Sequence, residues 1–487
     1  MSTNRAVPPL LDYIDGELST PAVEMGVWLE DPNTQTPLQQ QMATDEAGLE
    51  RALAAAWRVH EAGEWAATSV EERCAILGAL AAELHQRKEE VARREALTTG
   101  VPLGLTSMLT IIVTGAWHLA NEQLQGGWTR TRMDGPNGHE VEIHRRPWGP
   151  ALCLVPWNAP APMAAHKAAN ALAAGCPAIL KPTEWAPNGC DLFGEAARAA
   201  GLPPGVFQIV HGGPTVGGKL VKDERIRAVS FTGGLAGGRA IAAACAYDFK
   251  PAQLELGGNN PVIVLEDADL DAAAQGVIAL MTSLNGQWCR ALGRLIVHQR
   301  IADKFLAHTL AAMETIKIGD SLSFETQMGP MVHSRHLAKI QGQIAELISK
   351  GGTARGSARL PDLPGNFIAP TLVTGVAASD AQHEIFGPVG TVHTFATDAE
   401  AIALANGTPY GLEGYVFGAD EERALRVARQ VRTGGVKVNG ATIMSLNLFA
   451  PRAAWGLSGQ AIEGTAETFQ FFCGTQVVGV EGPMSFG

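Results

Sequence analysis

The chain has 487 residues, 46% of them hydrophobic and 18% charged, and its 37 Lys and Arg against 49 Asp and Glu give a formal net charge of −12. This composition excludes an intrinsically disordered protein, and the length favours two or three folded domains. Since no stretch concentrates Lys and Arg into a stripe, a nucleic-acid partner is not expected.

Seven cysteines are spread along the chain without a Cys-x-x-Cys pair. This pattern predicts neither a disulfide framework nor a metal centre, because no His/Cys cluster has ligand spacing. The longest apolar candidate, 108–117, is interrupted by Thr110, Thr114 and Gly115, so no membrane span is expected. The N-terminal residues lack the apolar stretch of a secretory signal, and we therefore expect a cytoplasmic protein.

The first half of the chain begins with a helical region. Apolar residues at helical spacing between 45 and 99, among them Leu77, Leu80, Leu84 and Val91, predict two amphipathic helices. Between 128 and 144, two short polar runs flank a dense turn signal at 134–138. We interpret them as a hairpin standing off the main fold, with an ordinary surface loop as the alternative.

From residue 150, short β-rich runs alternate with Ala-rich helical stretches. The predicted strands are 151–155, 178–181, 206–210, 228–232 and 253–256, and the predicted helices are 164–174, 190–200, 217–221 and 239–246. Such repeated β-α-β units predict an α/β fold with a doubly wound parallel sheet, whose ligands bind at the strand C-terminal ends. A second α/β series follows, with strands at 262–265, 295–298 and 414–417 and a long helix at 269–284, and a strand-like tail runs from 469 to 480.

Cys289 is a candidate nucleophile. It lies between two predicted helices and precedes Arg290. A thiol at a helix N-terminus beside a cation has a lowered pKa and a larger thiolate fraction. The alternative is a small buried apolar side chain, which describes most free cysteines.

Polar residues end two of the predicted strands. Glu255 precedes a double glycine, which allows a ligand to approach, and Asn158 carries an amide that could donate to an oxyanion. Both positions lie at the ligand edge of the predicted sheet. The alternatives are a solvated turn for Glu255 and ordinary turn formation for Asn158.

The next strand and loop suggest a dinucleotide site. Lys181 and Glu184 follow a strand and could bind the hydroxyls of an adenosine ribose, with a surface ion pair as the alternative. Gly233 and Gly234 lead into a predicted helix whose N-terminus could receive a pyrophosphate. The glycine pattern is not G-x-G-x-x-G, so it is a weak signal alone.

Taken in this order, these segments strongly resemble the aldehyde dehydrogenase superfamily over essentially the whole chain. The matching segments are Ile14-Asp15-Gly16-Glu17, Pro156-Trp157-Asn158, Lys181-Pro182-Thr183-Glu184, Phe231-Thr232-Gly233, Glu255-Leu256-Gly257-Gly258, Gly286-Gln287-x-Cys289, Glu384-Ile385-Phe386-Gly387-Pro388 and Asn406-Gly407-Thr408-Pro409-Tyr410-Gly411-Leu412.

The resemblance implies catalytic roles. Cys289 would add to an aldehyde and form a hemithioacetal, whose oxyanion the Asn158 amide and the Cys289 backbone N–H would stabilise. Hydride transfer would leave a thioester, and Glu255 would activate the water that hydrolyses it to a carboxylic acid. Lys167 resembles a lysine that lies near the active site in this family.

The resemblance also implies a nicotinamide cofactor. Glu384 would hold the nicotinamide ribose with Phe386 near the ring, Trp157 and Gly233 would lie by the pyrophosphate, and Lys181 and Glu184 would take the adenosine ribose. Because a carboxylate at Glu184 repels a 2′-phosphate, NAD is expected to be preferred over NADP.

Three departures from the family pattern stand out. Asn259 and Asn260 replace the usual Lys-Ser or Lys-Asn, and Gly234 replaces a serine, which predicts weaker cofactor binding. The usual Pro-Phe-Gly-Gly-x-Lys-x-Ser-Gly is altered at 451–459, where the loop normally shapes the substrate entrance.

The substrate tunnel implied by the resemblance is mostly apolar, which predicts a medium or bulky alkyl, terpenoid or aromatic aldehyde. Its residues would be Ala159, Pro162, Met163, His166, Trp288, Arg290, Leu448 and Arg452. Leu446 and Phe449 lie with Leu448 in the loop from Met444 to Arg452 and would also line the tunnel. Arg290 or Arg452 could instead bind the carboxylate of a semialdehyde acid. The alternative for both arginines is pairing with protein carboxylates.

The implied domains are a dinucleotide-binding domain (1–127 and 147–255), a catalytic domain (256–449) and a small β oligomerisation element (128–146 and 469–487). A homodimer or homotetramer is expected. The competing hypotheses are a CoA-acylating dehydrogenase, which Glu255 disfavours, an esterase using the same cysteine, and a catalytically silent binding or structural member.

Overall fold

The computed structural model describes residues 4–135 and 138–481. The predicted turn residues Pro136 and Asn137, and the last six residues of the predicted oligomerisation element, lie outside the described residues.

The β-strands of the described chain are β1 Asp12–Ile14, β2 Glu17–Ser19, β3 Val23–Glu30, β4 Pro37–Ala43, β5 Arg130–Asp134, β6 Glu140–Pro147, β7 Ala151–Leu154, β8 Ala178–Lys181, β9 Phe207–Ile209, β10 Ala228–Thr232, β11 Ala252–Glu255, β12 Asn260–Val264, β13 Leu292–His298, β14 Thr353–Arg355, β15 Thr371–Thr374, β16 Val389–Phe395, β17 Tyr410–Gly411, β18 Glu413–Phe417, β19 Gly435–Val438, β20 Arg452–Ala453, β21 Trp455–Gly456, β22 Gly459–Gln460, β23 Ile462–Glu463 and β24 Cys473–Gly479.

The α-helices are α1 Glu46–Ala62, α2 Glu64–Ala67, α3 Val70–Gln86, α4 Lys88–Thr99, α5 Leu103–Gln125, α6 Pro160–Ala174, α7 Asn188–Ala199, α8 Pro214–Lys222, α9 Leu235–Ala246, α10 Leu270–Thr282, α11 Ala302–Glu314, α12 Ser334–Ser349, α13 Asp398–Asn406, α14 Glu421–Ala428 and α15 Thr465–Phe471.

The first large sheet has the strand order β2-β1-β9-β8-β7-β10-β11-β22. The strands from β9 to β11 pair in parallel, whereas β1 and β22 pair antiparallel to their neighbours at the two ends. The parallel strands are buried on both faces: one core lies under α5, α6 and α7, and the other lies under α1, α8 and α9. This confirms the predicted doubly wound sheet.

The second large sheet has the order β14-β15-β16-β13-β12-β18-β19 and is parallel except for β14. Its core on one face includes α10 and α11, and its other face is covered by α13 and α14. The predicted strands of the second α/β series are therefore confirmed. The predicted domain limits remain a prediction, and β22 brings a C-terminal segment back beside β11 of the first sheet.

The predicted hairpin forms a third, three-stranded sheet. Strand β5 pairs antiparallel with β6, which confirms the hairpin, and β24 pairs along the other edge of β6. The strand predicted at 469–480 begins too early, because its first residues belong to α15. Phe469 and Phe472 lie three residues apart and are both fully buried, which suits a helix more than a strand.

The prediction of two helices between 45 and 99 is wrong, since four are present. Gly63 adopts a left-handed conformation (φ 69°) and ends α1, and the Ser69 hydroxyl accepts a hydrogen bond from the Glu72 N–H and begins α3. Arg87 separates α3 from α4. A dense helical pattern therefore contains local stops that its periodicity conceals.

Helix α5 contains the interrupted apolar run that was not expected to span a membrane. By length and composition this helix would nevertheless be apolar enough to cross one. In the fold it packs along α3, α4 and α6, and Trp117 on its inner face is fully buried. The inner face of α5 therefore forms part of the core beside the first sheet.

Candidate active site

Cys289 lies in the connection between α10 and β13. Leu284, Asn285 and Gly286 have positive φ values there, so the predicted long helix ends at Thr282. The Asn285 side chain holds this bend by donating to the carbonyl oxygens of Gly100 (2.8 Å) and Pro330 (3.0 Å). The connection is thus fixed by side-chain hydrogen bonds to two distant segments.

The prediction that a helix begins after Cys289 is wrong. The chain turns at Cys289 and Arg290 and enters strand β13, which pairs between β12 and β16. A helix N-terminus is therefore not the source of thiolate stabilisation. Burial first, and then the charge of Glu255, raise the pKa of the Cys289 thiol well above its ordinary value, and Arg290 opposes this rise.

Glu255 ends β11 and faces Cys289. The Cys289 Sγ lies 3.8 Å from Glu255 Oε1 and donates a weak hydrogen bond to it. Burial, followed by the charge of Glu463 and a hydrogen bond with it, raises the pKa of Glu255 from 4.5 to about 7. A carboxylate with such a pKa can accept a proton near neutral pH and release it again.

Asn158 follows β7 and lies beside the same cysteine loop. Its Nδ2 donates to the carbonyl oxygen of Gln287 at 2.9 Å. Within the described chain the second N–H of this amide makes no hydrogen bond. The amide is therefore fixed by one bond and retains one donor for a ligand.

Lys167 does not reach the substrate tunnel. It is fully buried in α6, and its Nζ lies 3.1 Å from Glu463 Oε1 and donates to Ser230 Oγ at 2.8 Å. Burial alone would raise the pKa of Glu463. The nearby charges, that of Lys167 first among them, outweigh burial and hold this pKa well below its usual range. Glu463 thus lies between Lys167 and Glu255.

A tunnel of about 460 Å³ leads to Cys289. The predicted substrate residues that line it are Ala159, Pro162, Met163, His166, Trp288, Arg290, Leu448 and Arg452. Leu446 and Phe449 were also predicted to line the tunnel, but they are 75% and 55% exposed and face solvent. Helix α5 supplies an unpredicted apolar wall, which includes Leu109, Ile112, Ala116 and Leu119.

Both predicted tunnel arginines are paired with protein carboxylates. Arg290 forms an ion pair with Glu413 and lies 3.7 Å from Glu255 Oε1, and Arg452 lies 3.8 Å from Glu463 Oε2. Burial lowers the pKa of His166 to about 4, so this side chain is neutral at pH 7. The cations of the tunnel wall are therefore largely engaged within the protein.

A second cavity, a cleft of about 880 Å³, meets the tunnel at Cys289 and Asn158. The predicted cofactor residues that line it are Trp157, Lys181, Glu184, Gly233, Gly234, Glu384 and Phe386. Lys181 and Glu184 are not a surface pair: both side chains are mostly buried in the cleft, with Nζ and Oε2 3.9 Å apart.

The cleft has the features that a dinucleotide needs. Gly234 precedes α9 without a side-chain cap, and a Cβ at this position would meet nothing within 4 Å, so the first-turn N–H groups of α9 are open to an anion. The Thr232 hydroxyl is buried and finds no hydrogen-bond partner among the described residues. Apolar walls at Val221, Ile241 and Leu256 can take a ring.

Glu384 and Phe386 are held at the inner end of the cleft. Glu384 Oε1 accepts a hydrogen bond from the Gly258 N–H at 2.9 Å, and burial raises the pKa of Glu384 to about 7. Phe386 has φ 59°, and its ring meets the Trp157 ring edge-on at 5.2 Å. The His336 Nε2–H donates to the Phe386 carbonyl oxygen at 2.8 Å. These contacts hold Phe386 in its left-handed backbone conformation.

Sequence reasoning missed one wall of the cleft. His333 packs 4.1 Å from the Trp185 ring, and the Arg335 guanidinium lies 4.7 Å from the centre of the same ring. Burial lowers the pKa of His333 to about 3 and that of His336 to about 4, so both are neutral. A His-x-x-His spacing at the start of a helix was the available signal, because i and i+3 side chains share a face.

Three further residues near the reacting centre were also missed. Glu463 contacts Lys167 and Glu255, Glu413 contacts Arg290, and Lys437 lines the tunnel. Each is an isolated charged residue far along the chain from Cys289. No local pattern distinguishes them from solvated charges.

Comparisons with known proteins agree with this geometry. A family model described as "Aldehyde dehydrogenase family" matches residues 22–478. Aminoaldehyde dehydrogenase 2 of Pisum sativum, a peroxisomal protein, is 36% identical over 447 residues, covering 89% of this chain and 88% of the relative. Glutarate-semialdehyde dehydrogenase of Pseudomonas aeruginosa is 33% identical over 457 residues, covering 90% and 93%.

A solved structure shows the same similarity. Aldehyde dehydrogenase C of Pseudomonas syringae, a mutant crystallised with NAD+ and octanal, superposes with a TM-score of 0.90 at 32% identity, covering 97% of each chain.

Proposed function

Since the chain belongs to the aldehyde dehydrogenase family and is an enzyme of that family, we propose that it oxidises an uncharged, medium or bulky aldehyde to the carboxylic acid with NAD. The observation that carries this proposal is the place of Cys289, whose side chain lines both the tunnel and the cleft and lies 3.8 Å from Glu255. A nucleophile there can reach an aldehyde from one side and a dinucleotide from the other.

In the first half of the reaction, Cys289 Sγ gives its proton to Glu255 Oε1 and adds to the carbonyl carbon. The resulting oxyanion accepts hydrogen bonds from the free N–H of the Asn158 amide and from the Cys289 backbone N–H. When bound, the nicotinamide dinucleotide supplies the acceptor for the hydride that leaves the hemithioacetal carbon.

Before the second half, Glu255 releases to solvent the proton that it took from Cys289. It then takes a proton from water, which attacks the thioester on Cys289. The carbon–sulfur bond breaks, the acid leaves, and the thiolate takes the proton back from Glu255 for the next cycle. Glu255 has Glu463 as its second partner, and Lys167 keeps Glu463 ionised. These two residues therefore adjust the proton affinity of the base without touching the substrate.

The preference for NAD rests on Glu184, which lines the cleft beside Lys181. A carboxylate accepts from a ribose 2′-hydroxyl and repels a 2′-phosphate. Lys181 Nζ donates to the Pro182 carbonyl oxygen at 2.9 Å, which ties one of its donors to the backbone. Glu184→Gln should raise the ratio of kcat/KM for NADP over NAD at least tenfold. An unchanged ratio would remove Glu184 as the determinant.

The substrate body is inferred from the tunnel wall. Trp288 is the one Phe, Tyr or Trp side chain among the described lining residues of the tunnel. Quaternary ammonium groups are held by cages of several such rings, so this tunnel does not suit them. The carboxylates among the described lining residues, Glu255 and Glu463, lie beside Arg290, Arg452 and Lys167. An aminoaldehyde, the class in the name of the pea relative, is cationic near neutral pH and would find little attraction from carboxylates that already have cationic partners.

An aldehyde panel tests the proposal. We expect NADH formation with octanal and benzaldehyde, and at least tenfold lower kcat/KM with 4-aminobutanal. Cys289→Ser is the matched control and should form no NADH with any aldehyde. A preference for 4-aminobutanal would contradict the substrate class, and activity retained in Cys289→Ser would contradict the mechanism.

Lys437 favours a second candidate, a semialdehyde acid. Its buried Nζ donates to the carbonyl oxygens of Thr442 and Met444, both at 2.7 Å, and no described carboxylate lies within 4 Å of it. An ammonium has three donors, so one remains for a carboxylate in the tunnel. Lys437→Met should then raise KM for an ω-carboxylated aldehyde and not for its neutral match, whereas equal effects would remove this candidate.

The cytoplasmic location and the homodimer or homotetramer belong to the same proposal. The exposed edge strand β5 and the largely exposed β24 support assembly, because unpaired edges are suited to strand pairing. Light scattering of the purified chain tests the assembly, and a monomer at micromolar concentration would contradict it. Cell fractionation tests the location.

A further inference from the structure

A buried ion pair lies directly behind the reacting groups. We propose that the Arg290–Glu413 pair is a charge-setting element of the catalytic centre: Arg290 favours the ionised forms of Cys289 and Glu255, and Glu413 orients this guanidinium and partly neutralises it. The inference rests on the proposed function only in taking Cys289 as the reactive thiol. Arg290 and Glu413 are positioning residues, since neither needs to touch the substrate.

One oxygen atom joins the three groups. Glu255 Oε1 lies 3.8 Å from Cys289 Sγ and 3.7 Å from Arg290 Nη2. The other guanidinium nitrogen, Arg290 Nη1, pairs with Glu413 Oε2. The Glu413 residue is 3% exposed, so solvent screens this pair little. A change of charge at Arg290 or Glu413 is therefore transmitted to Glu255 and Cys289.

The backbone of the cysteine turn is held independently of this pair. Asn260 Nδ2 donates to the carbonyl oxygens of Cys289 (2.9 Å) and Ala291 (2.8 Å), and the Tyr415 hydroxyl donates to that of Arg290 (2.9 Å). Removing the Arg290 side chain leaves all three bonds in place. The charge can thus be changed while the position of the Cys289 backbone is kept.

The charges around the reacting groups show why this guanidinium matters. Glu255 faces Glu463, Arg290 and Arg452, and Cys289 faces Glu255, Glu463, Glu384 and Arg290.

Burial and the neighbouring carboxylates disfavour ionisation of both the thiol and Glu255. Arg290 is the cation that opposes this at both groups.

Behind the pair, Lys437 and the Tyr415 hydroxyl complete the surroundings. Burial lowers the pKa of Lys437, and its charged neighbours are Glu413 and Arg290. Tyr415 faces Glu413, Arg290 and Cys289. Both terminal nitrogens of the Arg290 guanidinium lie beside protein carboxylates, Nη2 beside Glu255 and Nη1 beside Glu413. This guanidinium therefore acts on the reacting groups and is not free to bind a substrate carboxylate.

Alkylation of the cysteine tests the proposal without aldehyde or cofactor. The rate of Cys289 modification by iodoacetamide is measured from pH 6 to 9, with the modified peptide identified by mass spectrometry. Because the pKa of this thiol lies well above its ordinary value, the rate rises throughout this range, and a displacement of the curve along the pH axis equals the shift of its midpoint. In Arg290→Met the midpoint should rise by about one to three units, the range for an opposite charge within about 4–6 Å. In Glu413→Gln it should fall, because the glutamine amide oxygen can still accept a hydrogen bond from Arg290 but no longer neutralises it.

The opposite directions separate a charge effect from a structural one. If the pair only packed the cysteine turn, both variants would loosen this turn and shift the midpoint in the same direction. Lys219→Met is the control, since it removes an exposed cation that pairs with Glu46, and its midpoint should stay with the wild type. Arg290→Lys keeps the positive charge, and the midpoint of its alkylation curve should lie between those of the wild type and Arg290→Met.

An unshifted midpoint in Arg290→Met, or an upward shift in Glu413→Gln, would overturn the proposal. Failure of the proposed function has a different signature: no aldehyde would be oxidised while these midpoints still moved as described. Circular dichroism and the melting temperature check that each variant is folded. If Arg290→Met does not fold, the downward shift in Glu413→Gln and the intermediate position of Arg290→Lys decide.

Discussion

Glu463→Gln should lower the pH at which the enzyme becomes active. Glu463 is an ionised, buried carboxylate that shares a hydrogen bond with Glu255, and its charge is the second cause, after burial, of the high Glu255 pKa. Glutamine has the same shape without the charge. Glu255 then ionises more easily, and as a base it must be ionised to activate water.

The size of the effect follows from the Glu255 pKa. A rise from 4.5 to about 7 corresponds to about 3 kcal/mol in favour of the protonated carboxyl. Burial is the larger cause and the charge of Glu463 the second, so removing this charge should take away roughly a third of that energy and lower the pKa of Glu255 by about one unit. The acid limb of the rate profile should therefore move from about pH 7 to about pH 6.

The assay is thioester hydrolysis, followed as kcat under conditions in which an initial NADH burst shows that hydrolysis is limiting. Because the substitution leaves the Lys167 ammonium buried without its carboxylate, the double variant Lys167→Met/Glu463→Gln is measured beside it, and the same downward shift is expected. An acid limb that stays at pH 7 or moves to higher pH would refute the reasoning.

Three other substitutions give separate tests. A Cβ at Gly257 would overlap the Glu384 carboxylate, so Gly257→Ala should displace Glu384 and raise KM for NAD at least tenfold; an unchanged KM contradicts this. Burial raises the pKa of Glu95 from 4.5 to about 8, so the folded chain retains a proton that the unfolded chain releases, and stability falls as pH rises through that window. Glu95→Gln should therefore stabilise the fold by about 3 kcal/mol at pH 7 and have no such effect at pH 4, and equal melting temperatures at pH 7 would contradict it. Ala159→Phe should fill the tunnel and raise KM for octanal at least tenfold more than KM for acetaldehyde, whereas equal increases would place Ala159 outside the substrate path.

The parallel sheets explain how much of the site could be predicted. Asn158, Glu255 and the Lys181 and Glu184 pair follow or end strands of one sheet, and parallel strands deliver such residues to a common edge. Their positions along short apolar strands were sufficient to expect them near a ligand. Cys289 comes from a loop of the second α/β series, and only the family resemblance placed it with the others.

The errors have identifiable physical causes. After Cys289, the helix-compatible sequence is a strand because β13 is paired on both edges, and tertiary pairing outweighs local propensity. Glu463 reaches Lys167 because the neighbouring β22 pairs beside β11, and Glu413 and Lys437 lie on neighbouring strands because β18 pairs with β19. Such long-range pairings carry no signature around the individual residue.

The most direct test of the central claim is the mass of the enzyme during turnover. Glu255→Gln keeps the shape of the base but accepts a proton neither from Cys289 nor from water. At about pH 9 a fraction of the thiol ionises without this base, so the thioester should form slowly and then accumulate. After mixing this variant with NAD and octanal at that pH, intact mass spectrometry should show one octanoyl group per chain, located on the Cys289 peptide. Turnover without any adduct, or an octanoyl group on another residue, would contradict the account.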